Sequence, residues 1–184
     1  MSIMKWILER VVKRLPENRI SFKGDVYLRR FYLLGKCPPA LREYFAHGPA
    51  VEERFAFLPF TVYLHCFERP DKDRDLHNHP WNATGLVLTD GYVEERYTEH
   101  PSKSTAERVY RRVKRWGFNH INADDYHRVD ALGSPSTWTL FMVGDKVQSW
   151  GFWDEEKGEH VNHRDYAESG EKSKRHHEPK NKGA

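Results

Sequence analysis

The chain has 184 residues, enough for one domain with extensions, and a formal charge of only +3. That balance lacks the concentrated basic face a nucleic-acid binder needs, while 38% apolar and 14% aromatic residues exclude a disordered polymer. Cys37 and Cys66 are too few for a disulfide framework or a Cys-rich zinc site, and no apolar run approaches the roughly 20 residues that span a bilayer.

In residues 3–15, Ile3, Trp6, Ile7, Val11 and Leu15 recur close to the spacing of one helical face. Lys5, Glu9, Arg10, Lys13 and Arg14 fall mostly on the other side, and Pro16 stops the pattern because it has no N–H to continue it. The spacing predicts a short amphipathic helix packed on the domain, with a linker running to residue 24. Charges interrupt each apolar stretch and no small-residue cleavage site follows. A secretory signal is therefore not expected, and a cytoplasmic protein is.

From Asp25 the character changes. The segments 26–34, 60–68, 83–89, 91–98, 108–116, 126–132, 137–144 and 147–153 are short runs of β-branched and aromatic residues, each bounded by Gly, Pro, Asn or Asp. Thr89-Asp90-Gly91 carries hairpin chemistry, with Gly91 free to take positive φ. Eight such runs without a helical pattern predict an all-β sandwich or barrel over residues 25–164. Within residues 36–57, the CPPALREYF stretch leaves room for one more short helix. Residues 165–184 hold one aromatic side chain, Tyr166, and no Val, Ile, Leu, Phe or Trp. They predict a flexible polar tail, since they bury too little to offset ordering entropy of about 1–2 kcal/mol per residue; His176 and His177 read there as solvated side chains.

The chemistry concentrates in residues 73–91, DRDLHNHPWNATGLVLTDG. His77 and His79 are one residue apart, so on an extended strand both imidazoles point to the same side. Their nitrogens then reach a single metal ion at about 2.0–2.1 Å without distorting the backbone. His127, opening another run, supplies a third nitrogen, and the far side of the ion stays open to water, dioxygen or substrate.

This arrangement resembles the cupin superfamily. Its first motif runs HxH, three or four residues, Glu, six residues, Gly, and its second adds a His after a short turn. His77, His79 and Gly91 match the first and His127 the second, and the likeness covers roughly residues 58–153. It implies a double-stranded β-helix, the cupin jelly-roll barrel, with a metal in its mouth. Thr84 stands where the motif carries glutamate, and residues 122–126 lack the second motif's Pro and Gly. The implied site is therefore three neutral histidines, whose uncompensated ion attracts an anionic ligand. Among cupins such a set resembles the iron dioxygenases, so Fe(II) is the favoured cofactor, with Zn, Mn or Ni as alternatives. The expected activity is a non-heme Fe(II) dioxygenase acting on a small anionic or thiol substrate. A non-catalytic small-molecule-binding cupin and a cupin-type sugar isomerase or epimerase are the rival readings.

Other residues carry weaker signals. His65 reads as a proton-transfer residue in the cavity or as a structural histidine. Arg69 and Arg74 read as substrate-binding forks or as partners of Asp71, Asp73 and Asp75 that hold the loop. Trp81 shares parity with His77 and His79 and walls the pocket, alongside Thr84 as a substrate contact. One of Glu94 and Glu95 faces inward on a regular strand, where it could stand in for the missing carboxylate. The basic run Arg108–Arg115 reads as phosphate contact or, preferably, as an edge strand charged against aggregation. A small-molecule substrate is the expected partner, without nucleic acid or membrane, and a homodimer paired through sheet edges fits the resemblance.

Overall fold

The structure, a computed structural model, describes residues 2–22, 24–37, 54–71 and 73–168. Helix α1 (Ile3–Val12) begins where the Ser2 hydroxyl accepts the Lys5 backbone N–H at 3.3 Å, satisfying one of the free donors of the first turn. Its buried residues are Leu8 and Val12, joined beyond the helix by Leu15 and flanked by Met4. Ile3, Trp6, Ile7 and Val11 are exposed, so of the face expected from the sequence only Leu15 is buried. The helix carries two adjacent apolar stripes, and polar contacts decide between them. Packing the 4-8-12 stripe brings Lys5 Nζ to 3.0 Å from Asp90 and Glu9 to 3.6 Å from Arg29, while the Arg10 guanidinium covers the Trp6 ring at 4.1 Å. Leu8→Ala is expected to destabilise the protein by about 2–3 kcal/mol. Ile7→Ala changes stability by less than about 0.5 kcal/mol, and chemical denaturation of the two variants checks the contrast.

The strands, in chain order, are β1 (Glu17–Phe22), β2 (Asp25–Gly35), β3 (Thr61–Phe67), β4 (Ala83–Val87), β5 (Tyr92–Tyr97), β6 (Arg108–Val113), β7 (Phe118–Ile121), β8 (His127–Leu132), β9 (Thr137–Val143), β10 (Gly151–Asp154) and β11 (Glu159–Asn162). A six-stranded sheet has the order β1-β2-β3-β9-β4-β7 and a three-stranded sheet the order β6-β5-β8. The pair β10-β11 extends the smaller sheet through His77, which bridges β8 at His127 and β10 at Phe152. All pairings are antiparallel. The result is the all-β, double-sheet architecture that the cupin resemblance implies, with a short N-terminal helix.

Alternation fixes which side chains face where. One face of the large sheet presents Phe31, Leu64, Cys66 and Trp138 to α1, with Phe31 and Trp138 stacked at 5.9 Å. The other face, carrying Tyr63, His65, Thr139, Phe141 and Asn119, turns toward the smaller sheet, which Asn119 reaches directly. The site is built between the sheets.

Several elements differ from the sequence expectation. Residues 17–22, expected as linker, form β1. Thr89-Asp90-Gly91 does not close a hairpin: β4 and β5 lie in different sheets, and the turn carries the chain across. Gly91 does adopt φ +88, and a Cβ there would lie 2.4 Å from the Val113 carbonyl oxygen, so the crossing requires glycine. The run 108–116 is a strand only to Val113, as β6; the chain turns at Trp116, whose φ is +63, and β7 follows beyond the expected run. Residues 163–168 form helix α2 (His163–Glu168), where Tyr166 stacks on Phe152 at 3.7 Å; the expected tail thus begins with a packed turn of helix. The rest of that tail, residues 169–184, and most of the helix expected in residues 36–57 lie outside the described residues. Among the described residues no helix is long and apolar enough to cross a membrane.

Candidate metal centre

The three histidines reach the site from segments fixed by their backbones. His77 exchanges hydrogen bonds with His127, N–H to O at 3.0 Å and 2.9 Å in the two directions. On its other side Trp153 donates to the Leu76 carbonyl at 2.8 Å and Asn78 to the Gly151 carbonyl at 3.0 Å. The Asn78 side chain accepts the Gly151 N–H in return at 2.8 Å. His79 donates to the Ala123 carbonyl at 3.2 Å, and Gln148 Nε2 donates to both the His79 and Ala123 carbonyls, at 2.9 Å and 2.6 Å. No ligand rests on an unsupported loop, which is the condition for precise donor placement.

The rings converge. Their centroids form a nearly equilateral triangle with sides of 5.1, 5.2 and 5.0 Å, and one nitrogen from each lies within 4.8 Å of the others. His79 Nε2 and His127 Nε2 are 2.8 Å apart. That is a hydrogen-bond separation, and it is also close to the roughly 3 Å that two nitrogens bound at about 2.1 Å and at right angles would have. Burial drives the His77 and His79 pKa values well below the ordinary range, helped by Arg74 at His77 and by the neighbouring His127 at His79. Both rings are therefore neutral at pH 7, the form that donates a lone pair. Three imidazole nitrogens at this spacing fit a divalent transition metal. His77 and His127 are buried while His79 is partly exposed, which places the open side of the group toward His79.

Glu94 on β5 settles the orientation of His127. Its Oε1 lies 2.6 Å from His127 Nδ1; an ionised carboxylate only accepts, so Nδ1 carries the proton and Nε2 presents its lone pair to the centre. Burial would raise the Glu94 pKa, but the bond to His127, that from Asn119 and the charge of Arg96 bring it down to about 2. Asn119 Nδ2 also reaches the Tyr92 hydroxyl at 2.8 Å, and the Arg111 guanidinium bonds both Glu94 and Asn119. Glu94 is thus the inward carboxylate of its pair, and it orients a ligand histidine. Glu95 faces the other way and binds Arg128 at 2.6 Å and Arg108 at 3.3 Å.

The remaining sequence candidates separate. Thr84 is on the opposite face of β4 from the buried Ala83, Gly85 and Val87, and its hydroxyl contacts His120 Nδ1 at 3.0 Å. It is not a substrate contact in the interior: its spacing from Gly91 does not fix which face of β4 it takes, because an irregular turn separates β4 from β5. Arg69 pairs with Asp73 at 3.2 Å and donates to the Phe22 carbonyl at 3.3 Å. Arg74 is buried in an ion pair with Asp71, whose other oxygen accepts the Val129 N–H at 2.6 Å. Both arginines hold the loop, and neither is free for a substrate. Trp81 sits beside His79, ring centroids 6.0 Å apart, with its indole N–H buried and unbonded. β6 is the edge of its sheet, and there Arg108 and Arg111 pair with Glu95 and Glu94.

His65 is buried inside the barrel, stacked on Phe141 at 4.6 Å, and its Nε2 accepts the Arg30 Nε–H at 3.2 Å. Burial, then the Arg30 charge and His79, hold its pKa well below the ordinary value. A ring kept neutral, with that nitrogen already engaged, is poorly placed to carry protons; it orients Arg30 instead. Arg30, Glu94's role and Asn119 are the features the sequence reading missed. The signal for Arg30 is Arg29-Arg30 within the otherwise apolar strand β2, where alternation turns one arginine inward.

No family model matches the chain, and no curated protein matches it. Solved structures do. A cupin-2 domain protein from Rhodospirillum rubrum is 11% identical, with 84% of this chain and 80% of that chain covered at a TM-score of 0.48. The DMSP lyase DddQ from Ruegeria pomeroyi is 10% identical, with 73% and 56% covered at 0.46. Hydroxypropylphosphonic acid epoxidase from S. wedmorenis is 12% identical, with 73% and 56% covered at 0.43. The chain thus spans little more than half the length of the latter two.

Proposed function

We propose that the protein is a metal-dependent cupin enzyme whose three-histidine centre carries out dioxygen-dependent oxidation of a small anionic or thiol substrate. The observation that carries this reading is the convergence of His77, His79 and His127, with two Nε2 atoms 2.8 Å apart and the His127 tautomer fixed by Glu94. These three residues would hold the ion, Fe(II) being favoured by the likeness of the ligand set to iron dioxygenases. Bound there, such an ion supplies Lewis acidity and, as iron, an electron source for dioxygen. The chain's own part is to keep three lone pairs aimed at one point, to leave the side near His79 and Trp81 open, and to wall off bulk water. The wall is made by Tyr63, Phe141, Val87 and Val129, all buried.

The test is anaerobic loading with Fe(II), elemental analysis, and then oxygen-electrode measurement on adding thiols or catechols. The expected result is a single ion per chain and oxygen uptake that depends on one of those substrate classes. Stoichiometric iron with no uptake from either class would refute the dioxygenase and leave the metal site. Failure to retain any divalent ion would refute both.

A further inference from the structure

Among the described residues, the arginines that are not exposed are Arg29, Arg30, Arg69, Arg74, Arg96 and Arg128. Arg29 pairs with Glu17, Arg69 with Asp73, Arg74 with Asp71, Arg96 with Asp125 and Arg128 with Glu95. Arg30 pairs with no carboxylate among the described residues. Its one hydrogen bond goes from Nε to the neutral His65, and its guanidinium lies over the Tyr63 ring at 5.4 Å. Withdrawing a guanidinium from water without a carboxylate counter-charge is costly, and burial accordingly lowers its pKa, opposed by the phenols of Tyr63 and Tyr27. Among the described residues neither Nη group has a hydrogen-bond partner.

The fold puts this unpaired fork in the barrel interior. Register places Arg30 opposite His65, His65 opposite Thr139 and Thr139 opposite Val87, one row across the inner face of the large sheet. Thr139 is 2% exposed and its hydroxyl is also without a partner. The face of the large sheet that carries Arg30 and His65 is the one turned toward the smaller sheet, to which His77 and His127 belong. The buried carboxylates nearest the centre are committed, Glu94 to His127, Asn119 and Arg111, and Asp71, 3.9 Å from His77 Nδ1, to Arg74 and the Val129 N–H. The interior therefore carries surplus positive charge at two places, the guanidinium and the three-histidine centre once loaded.

We infer that Arg30 is the substrate anchor: its free Nη edge takes a carboxylate at one end of a small ligand whose other anionic donor faces His77, His79 and His127. The inference deepens the proposed function and rests on it for the second end of the ligand. The planar Nη pair matches a carboxylate by two parallel N–H···O bonds, and His65 holds the fork in position by accepting from Nε. A small dicarboxylate carries the required groups, whereas an uncharged molecule of the same size leaves the guanidinium without its counter-ion.

The experiment is calorimetric titration of malonate, succinate and, as the uncharged control, malonamide into wild-type protein and Arg30→Gln. Each is run metal-free and after loading with Co(II), and thermal melts establish that the variant is folded. Wild type is expected to bind at least one dicarboxylate and not malonamide, more tightly when loaded. Arg30→Gln is expected to weaken that binding about 10–100-fold in both forms while keeping the wild-type Co(II) content. Arg30→Lys, which keeps the charge and loses the fork, recovers only part. A folded Arg30→Gln that binds dicarboxylate like wild type, or a wild type that binds neither dicarboxylate, overturns the anchor. If wild type takes up no Co(II) but the metal-free titrations still depend on Arg30, the anchor stands and the metal reading falls.

Discussion

Alanine in place of His127 is expected to cut bound metal to roughly a tenth of the wild-type content or less, since loss of a mere supporting residue already costs 10–100-fold in affinity. The change removes one of three converging nitrogens, and it removes the one whose tautomer the protein takes most care to fix. The fold is expected to survive, because His77 and His127 hold each other through main-chain bonds that alanine keeps. A stability loss of about 1–3 kcal/mol should accompany it, from the donor withdrawn from buried Glu94. His77→Ala is expected to empty the site similarly. Elemental analysis after dialysis, with a thermal melt on the same samples, measures both quantities. Variants that keep the wild-type metal content would remove the site assignment.

Glu94 separates stability from metal affinity. Glu94→Ala is expected to cost about 3–5 kcal/mol, the range for breaking a buried pair by deleting one member. The carboxylate is fully buried, and its loss strands His127 Nδ1, the Asn119 amide and one contact of Arg111 together. Arg111 and Arg96 soften the loss by turning toward solvent, since their side chains are 44% and 16% exposed. Glu94→Gln keeps the volume and an acceptor but loses the charge that fixes the His127 proton and raises the ring's basicity. It is expected to lose about 10–100-fold in metal affinity with a much smaller change in stability. Denaturation curves and competitive metal titration of the two variants give the comparison. Equal behaviour in both assays would mean Glu94 is packing alone.

The sequence makes the strands of the core legible because β-branched and aromatic residues bounded by turn residues have few other uses. It makes His77, His79 and His127 legible because same-side spacing on an extended chain is a local property. What it hides is set elsewhere. β1, β7 and β11 are short and largely polar, and pairing with a neighbour, not their own composition, makes them strands. The buried stripe of α1 depends on Asp90 and Arg29, far away in sequence. Motif spacing picks out Thr84 by counting residues, which does not fix the face of β4 that its side chain takes. Arg69 and Arg74 read equally as substrate forks and as partners of the neighbouring aspartates, and only the fold decides for the pairs with Asp73 and Asp71. Arg30 lies well before the motif and becomes visible as a site residue when β2 is laid beside β3.

The position of His77 between β8 and β10 bears on when the protein can acquire its ion. Its main-chain neighbours on both sides, at His127 and Phe152, are synthesised long after it, and α2 then closes over Phe152. Until residues 127 and 152 have been made, 50 and 75 positions further along, the HxH pair lacks both its main-chain clasps and its third imidazole. The convergent three-nitrogen group is therefore a property of the folded chain and not of the HxH segment alone.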